Sequence, residues 1–416
     1  MAQPTGIHAR RAALKLLDAV LRRGETLEQA APSALRDVRD ANDKALSRAI
    51  AGEALRWLID LDHLIDSATQ KPLPKDAKPR SVLRLMLAQA LRLETPAHAV
   101  IATGLPLLAG GPRRLAHGVF STLMKRNVAL PRVPTLPAEV VVRWGTERAA
   151  ATSTGLTEPP EVDLRLKNAA DTALWQARLG GMSLSSGHVR VPRGTPVEKL
   201  SGYEEGAWWV QDFAASIPAT VLGGGRGHAL DLCAAPGGKT MALAANGWNV
   251  TAIDISKRRL DALKANLKRT GLTSSTVRAD ALKWEPKHAF DAILLDAPCT
   301  ATGTCRRHPD VLHRIRPQEI VQMVKIQRAL IARATDWLKP GGTLIYAVCS
   351  LEREEGEEQA EWIDATFNLS PMPIRVDDLP AGLKPTPEGW VRTHPGMLGD
   401  EGGLDGFFVA RFKRRP

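Results

Sequence analysis

Residues 229–232 run without a break into Cys233-Ala234-Ala235-Pro236-Gly237-Gly238-Lys239-Thr240, and that succession restricts the fold more than any other stretch. A short apolar run ending in a glycine-rich turn that opens a helix is a strand–turn–helix unit. Adjacent glycines let the backbone approach a ligand closely, and the unpaired N–H groups at a helix start face oxygen atoms. Two commoner glycine loops do not fit. A polyphosphate-binding Walker loop needs glycine at position 233, where the chain has cysteine. The dinucleotide fingerprint has a spacing that neither Gly237-Gly238 nor the glycines at 223–227 supply. The loop suits a nucleoside cofactor without a polyphosphate.

From this point strands and helices alternate. Short apolar runs at 249–253, 276–279, 292–295 and 343–348 read as strands covered on both faces. One helix, with Leu260, Leu263 and Leu267 on one side, is predicted from near Ser256 to Gly271. Another, carrying Ile320, Val324, Ile331 and Leu338, is stopped by Pro340-Gly341-Gly342. Such alternation predicts an α/β fold, an open and mainly parallel sheet with helices on both faces and its ligands at the carboxyl ends of the strands. Asp254, Asp280, Asp296 and Cys349 each follow one of the predicted strands directly. Asp254 lies near the spacing at which an acid ending the second strand accepts hydrogen bonds from a ribose. Asp296-Ala297-Pro298-Cys299 leads into a loop through Arg306 and Arg307, two guanidinium groups suited to RNA phosphates or base faces.

A length of 416 residues allows two or three domains. Residues 1–135 read as all helical, with one stripe at Ala13, Leu17 and Leu21 and a longer one from Leu46 through Ile50, Leu55, Leu58 and Leu61 to Ile65. Pro131, Pro134 and Pro137 mark a boundary, residues 136–205 form a linker with a small α+β subdomain, and residues 206–416 hold the α/β domain. The formal charge of +11 is concentrated in the first third, where 21 Lys and Arg face 12 Asp and Glu. A basic module beside a nearly neutral one suggests a polyanion held by the first while the second does chemistry.

The four cysteines, Cys233, Cys299, Cys305 and Cys349, form no C-x-x-C pair, which argues against a structural zinc site or disulfide framework. Cys233 and Cys305 read as packing residues. No apolar stretch is long enough to span a bilayer and no secretory signal is evident, so a cytoplasmic location is expected. The acidic run at Glu352, Glu354, Glu355, Glu357, Glu358 and Glu361 reads as the charged outer face of a helix, and no metal is expected. Tyr203, Trp208 and Trp209 are read as core rather than as stacking platforms for bases. Nothing demands more than a monomer.

Several ordered motifs carry a resemblance: residues 231–240, Leu295-Asp296-Ala297-Pro298-Cys299, Arg306-Arg307-His308-Pro309-Asp310, residues 340–350 and Asp405-Gly406-Phe407-Phe408. Together they resemble the RNA cytosine-5 methyltransferases (the RsmB/NOP family), and the helical first domain is similar to the NusB type of RNA-binding module. Val348 stands where the family usually has threonine, and Val311-Leu312-His313-Arg314 departs from its usual pattern. The resemblance implies a Rossmann-like domain with a mainly parallel seven-stranded sheet, S-adenosyl-L-methionine as cofactor and an unpaired cytosine in 16S ribosomal RNA as substrate. It also implies that Cys233, Ala234, Ala235, Pro236, Gly237, Gly238 and Lys239 form the cofactor loop, that Asp254 holds the ribose, and that Asp280 approaches the adenine amine. Asp296 then lies near methionine and target base, where it acts as base or stabilises the charge that develops on the ring, Cys349 is the nucleophile and Cys299 assists product release.

The chemistry accounts for these residue types. Carbon 5 of cytosine is too electron-poor to accept a methyl group unaided, so a thiolate adds first to carbon 6. A free cysteine has a pKa of roughly 8.5, so the nucleophile needs a nearby cation; the cofactor's sulfonium and Arg306 or Arg307 are the expected sources. Two other readings accommodate the same sequence: a transfer RNA cytosine-5 methyltransferase, and a non-catalytic RNA-binding assembly factor.

Overall fold

The computed structural model describes residues 6–416, which divide into two compact units. The first runs to Thr157 and includes Arg307–Ile315; the second comprises Glu158–Arg306 and Arg316–Pro416.

The first unit is helical: α1 (Ile7–Arg23), α2 (Leu27–Ala34), α3 (Ala41–Arg56), α4 (Leu58–Ser67), α5 (Lys78–Leu91), α6 (Ala97–Gly104), α7 (Gly110–Lys125), α8 (Ala138–Trp144) and α9 (Thr146–Thr154). Gly24 ends α1 in the left-handed region, where its N–H donates to the carbonyl of Val20. The stripe read as one helix from Leu46 to Ile65 is two, because the chain leaves helical geometry at Trp57 (φ −105°, ψ 20°), whose ring is buried. Part of this unit's positive charge is internal. Arg84 grips Asp62 through two 2.7 Å bonds, Arg80 pairs with Asp62 and Asp66, and Glu53 takes both Arg56 and Arg92.

The boundary expected at 135 falls at 157 instead. Asp60 accepts the N–H (2.9 Å) and hydroxyl (2.6 Å) of Thr135, while Arg56 and Arg92 donate to the carbonyls of Leu156 and Thr157. Prolines at 131–137 therefore mark an extended strap within the unit. Residues 307–315 belong to it too, through a one-turn helix, Val311–Arg314, whose His313 ring bonds the carbonyl of Leu55 at 2.7 Å. Burial pushes that imidazole's pKa down to about 4.

The second unit begins with a small antiparallel sheet, β1 (Val162–Leu166), β2 (His188–Val191) and β3 (Trp208–Val210) in the order β2-β1-β3, with α10 (Thr172–Leu179). This is the expected α+β subdomain, displaced along the chain. Trp208 and Trp209 are buried, as read from sequence. Helix α11 (Phe213–Leu222) leads to the main sheet: β4 (His228–Leu232), β5 (Asn249–Asp254), β6 (Ser275–Arg278), β7 (Phe290–Asp296), β8 (Leu338–Val348), β9 (Leu369–Pro371), β10 (Val391–Arg392) and β11 (Phe408–Arg414).

Seven of these lie in the line β10-β11-β8-β7-β4-β5-β6, and the short β9 is an eighth strand on β11. Strands β4 to β8 pair in parallel, and β11 is antiparallel to β8. Connections are made by α12 (Gly238–Ala245), α13 (Lys257–Thr270), α14 (Pro317–Trp337) and α15 (Glu357–Thr366). Ser256 caps α13 and Gly271 ends it in the left-handed region, as the sequence indicated. Two details differ. Helix α14 stops at Trp337, and Pro340-Gly341-Gly342 lies within an irregularity of β8, whose pairing to β7 resumes at Thr343. Strand β6 is a half-exposed edge rather than a strand covered on both faces.

Candidate active site

Parallel pairing sets strand ends side by side, and here it aligns the residues singled out by type. In the register of β4, β5 and β7, Leu232 is opposite Ile253 and Leu295; in that of β7 and β8, Asp296 is opposite Ala347. The turns after β4, β7 and β8 consequently share one edge of the sheet. The sulfurs of Cys299 and Cys349 are 3.5 Å apart, and Lys239 from the glycine-rich loop donates to Asp296 at 2.7 Å.

The two thiols differ in character. The hydrogen bond to Cys349, with burial added, raises the Cys299 pKa well above the ordinary thiol value, and either sulfur can be the donor in the contact between them. Cys233 is pushed up to about 12 by burial and by the charges of Asp296 and Asp254, which fits an unreactive packing residue, and Cys305 is fully buried. Burial alone works to lower the Lys239 pKa, yet the charge and hydrogen bond of Asp296 outweigh it and hold the ammonium above its ordinary value. Cys349 acts on Lys239 in the same direction. The cation beside the paired thiols is thus Lys239.

Arg306, expected to touch RNA or activate the thiol, does neither. Its side chain is buried, and its guanidinium binds Asp212 and Asp405 at 3.3 Å each and the carbonyl of Gly402 at 2.7 Å. With both carboxylates and a carbonyl filling its fork, it fastens the loop instead. Gly303 belongs to the same fastening. Its N–H donates to the carbonyl of Cys349 at 3.0 Å, and a β-carbon there would stand 2.0 Å from the carbonyl oxygen of Gly406. Arg307 is exposed and belongs to the helical unit.

Sequence reasoning missed Glu355. Read as part of a solvated face, it is fully buried and gathers donors from three elements: the N–H and hydroxyl of Thr300, the hydroxyl of Ser350 (2.5 Å) and the amide of Gln327 (3.0 Å). Thr300 follows Cys299 and Ser350 follows Cys349, so one carboxylate ties both cysteine-bearing turns together. Glu357, buried likewise, pairs with Arg392. Exposure does hold for Glu358 and Glu361. The only signal for the buried members was their place within nine residues of a strand end.

The cradle fits S-adenosylmethionine by the chemistry of its groups. Gly237 turns with φ 107°, and a β-carbon there would meet Leu263 at 2.8 Å. Asp254 closes β5 with its oxygens on the N–H groups of Ala235 (3.2 Å) and Ser256 (2.8 Å), each oxygen keeping a lone pair for a ribose hydroxyl. Half-buried Asp280 accepts from Leu282 N–H at 3.0 Å through one oxygen. Ile255 and Leu282, next in the chain or nearly so, are 65% and 40% exposed, apolar surface of the kind a flat purine covers. Among the described residues no cluster of His, Cys, Asp or Glu is arranged to hold a metal, and no helix is long and apolar enough to cross a membrane.

This fold and strand-end cradle define an S-adenosylmethionine-dependent methyltransferase with a NusB-like helical region. Residues 224–413 match the family described as 16S rRNA methyltransferase RsmB/F, and residues 7–107 match the NusB family. A protein of Xanthomonas campestris pv. campestris named ribosomal RNA small subunit methyltransferase B is 31% identical over 397 residues, covering 89% of this chain and 90% of that one. The chain belongs to the RsmB/F family. Among solved structures, the protein PH0851 superposes with a TM-score of 0.73 at 22% identity over the whole of both chains. NSun6 from Pyrococcus horikoshii, solved with SFG, has a TM-score of 0.57 at 20% identity over 67% of this chain and 98% of that one.

Proposed function

We propose that this chain methylates carbon 5 of a cytosine in 16S ribosomal RNA through a covalent adduct at Cys349. The observation that carries the reading is the 3.5 Å approach of Cys299 and Cys349 on the sheet edge where Lys239 meets Asp296.

Bound S-adenosylmethionine supplies an electrophilic methyl group; the glycine-rich loop from Cys233 to Lys239 and the carboxylates of Asp254 and Asp280 hold it. The target base reaches the site unstacked, at an expense of a few kcal/mol that is smallest in a loop. The Cys349 sulfur, as its thiolate, adds to carbon 6. Electron density moves onto the ring, where the Lys239–Asp296 pair offers an ammonium donor and a carboxylate acceptor to ring nitrogen 3 and the exocyclic amine. Carbon 5, now nucleophilic, takes the methyl group. Loss of the carbon 5 proton to a base then restores the ring as the sulfur–carbon 6 bond breaks, and Cys299, adjacent to the departing sulfur, assists that release.

The test combines mapping of 5-methylcytosine with two variants. With unmodified 16S RNA, the wild-type chain is expected to install one methyl at one cytosine. Cys349→Ala should abolish both transfer and any adduct resistant to denaturant, and Cys299→Ala should accumulate that adduct. An adduct formed by Cys349→Ala would overturn the assignment of the nucleophile. Transfer to transfer RNA instead, or to no RNA, would overturn the substrate.

A further inference from the structure

Between the small sheet and the helices packed on it lies a cavity of about 190 Å³ whose walls include Arg165, Ser185, Ser186, Ser216, Thr220 and Asn246. No residue of the glycine-rich loop, none of the strand-end carboxylates and neither Cys299 nor Cys349 lines it, and no Asp or Glu stands in its wall.

Arg165, on β1, is the one ionic group there apart from the His188 imidazole. Its side chain is half-buried and makes one hydrogen bond, from Nη1 to the Thr220 hydroxyl at 3.0 Å. Burial pushes its pKa down to about 10, with no acidic neighbour to oppose the shift. The nearest candidate counter-ion along β1, Asp163, is committed elsewhere: it accepts from Arg190 at 2.6 and 3.0 Å, from the Phe213 N–H at 2.9 Å, and meets His188 at 3.1 Å. The buried arginines of this unit each hold a carboxylate, Arg190 with Asp163, Arg306 with Asp212 and Asp405, Arg392 with Glu357, whereas half-buried Arg165 holds none. A cation partly withdrawn from water without a counter-charge gains by pairing with an anion.

We propose that this cavity is a second ligand site that takes a phosphate group, either free inorganic phosphate or a phosphate of an RNA chain. The planar fork of Arg165 suits two oxygens of one phosphate. The Thr220 hydroxyl orients the guanidinium by accepting from it while donating to the Ser216 carbonyl at 3.0 Å. The Asn246 carboxamide, with no protein partner among the described residues, lines the same cavity and adds donors.

The experiment uses the full chain, exchanged into phosphate-free buffer, and follows thermal unfolding as sodium phosphate replaces sodium chloride at constant ionic strength. Phosphate well above its dissociation constant is expected to raise the midpoint by on the order of 5 °C, and Arg165→Met should abolish the rise. Without phosphate, Arg165→Met should unfold no lower than the wild type, since it removes an unpaired charge; should it fail to fold, Asn246→Leu, a partly exposed position, is expected to reduce the same response. This arm does not depend on the methyl-transfer reading. If the phosphate belongs to RNA, inorganic phosphate has no effect, but Arg165→Met weakens binding of a 16S RNA fragment several-fold and lowers the log–log salt slope by about 0.7. A wild-type midpoint indifferent to phosphate, together with unchanged RNA affinity in Arg165→Met, would overturn the proposal.

Discussion

Asp231 ends its side chain deep under the glycine-rich loop, fully buried, with the Thr240 hydroxyl donating to it at 2.5 Å. Burial raises its pKa to about 7, a shift that the Thr240 bond only moderates. A carboxyl with a raised folded-state pKa favours folding in its neutral form. That contribution is whole below pH 4, is lost as the pH climbs toward 7, and above 7 the folded chain carries the buried charge. Asp231→Asn keeps an acceptor for Thr240 but cannot ionise. Relative to wild type, its stability should therefore rise between pH 4 and pH 8 by on the order of 4 kcal/mol, measured by urea unfolding at each pH; parallel curves would refute the argument. At this scale the sequence was informative about strand-end groups, since residue type and strand position pointed to Asp254, Asp280, Asp296 and the two cysteines Cys299 and Cys349, between which only the family resemblance chose. Arg306 was misread because its two carboxylate partners lie 94 and 99 residues away along the chain.

The turns after β7 and β8 behave as one element because Glu355 holds both. Glu355→Ala leaves buried donors of Thr300, Ser350 and Gln327 unsatisfied and opens a cavity, so a loss of about 3 kcal/mol is expected in urea unfolding. Since the hydrogen bonds of Glu355 go to Thr300, Ser350 and Gln327 rather than to the cofactor loop, kcat should fall while the KM for S-adenosylmethionine stays near wild type. A drop in stability with kcat unchanged would show that the clamp has no bearing on how the two cysteines are held. The acidic run concealed this arrangement. Glu352, Glu355 and Glu357 are buried whereas Glu358 and Glu361 face water, and a helical charge pattern does not distinguish an outward carboxylate from one turned back upon the preceding strand. Helix breaks were similarly hidden: Trp57 sits in phase with the apolar stripe on either side of it, and only core packing turns the chain there.

For the molecule as a whole, the distribution of charge matters more than its sum. Residues 95–138 contain five Arg and Lys and no acid, and on α7 and just beyond it Arg113, Arg114, Lys125 and Arg126 are exposed. By contrast, Arg56, Arg80 and Arg84 are consumed inside the helical unit. If the first unit holds RNA by its phosphates, replacing those four exposed residues by Gln should weaken 16S RNA binding roughly tenfold or more and flatten the log–log salt slope by up to about 3. Circular dichroism should be unchanged, and filter binding across a salt series decides the matter; an unaltered slope would remove α7 from the interface.

Taken alone, the order of residues determined the alternation of strands and helices, the cradle at 233–239 and the reactive types at strand ends, because each is a local rule of periodicity, turn chemistry or chain direction. Tertiary structure decided which of several charged groups is spent on packing. It gave Lys239 rather than Arg306 to the thiols, buried Glu355 as a clamp, left Arg165 without a counter-ion and carried the first unit on to Thr157. Those outcomes depend on partners brought together from distant parts of the chain, whose pairing energies exist only once burial has removed the competing water.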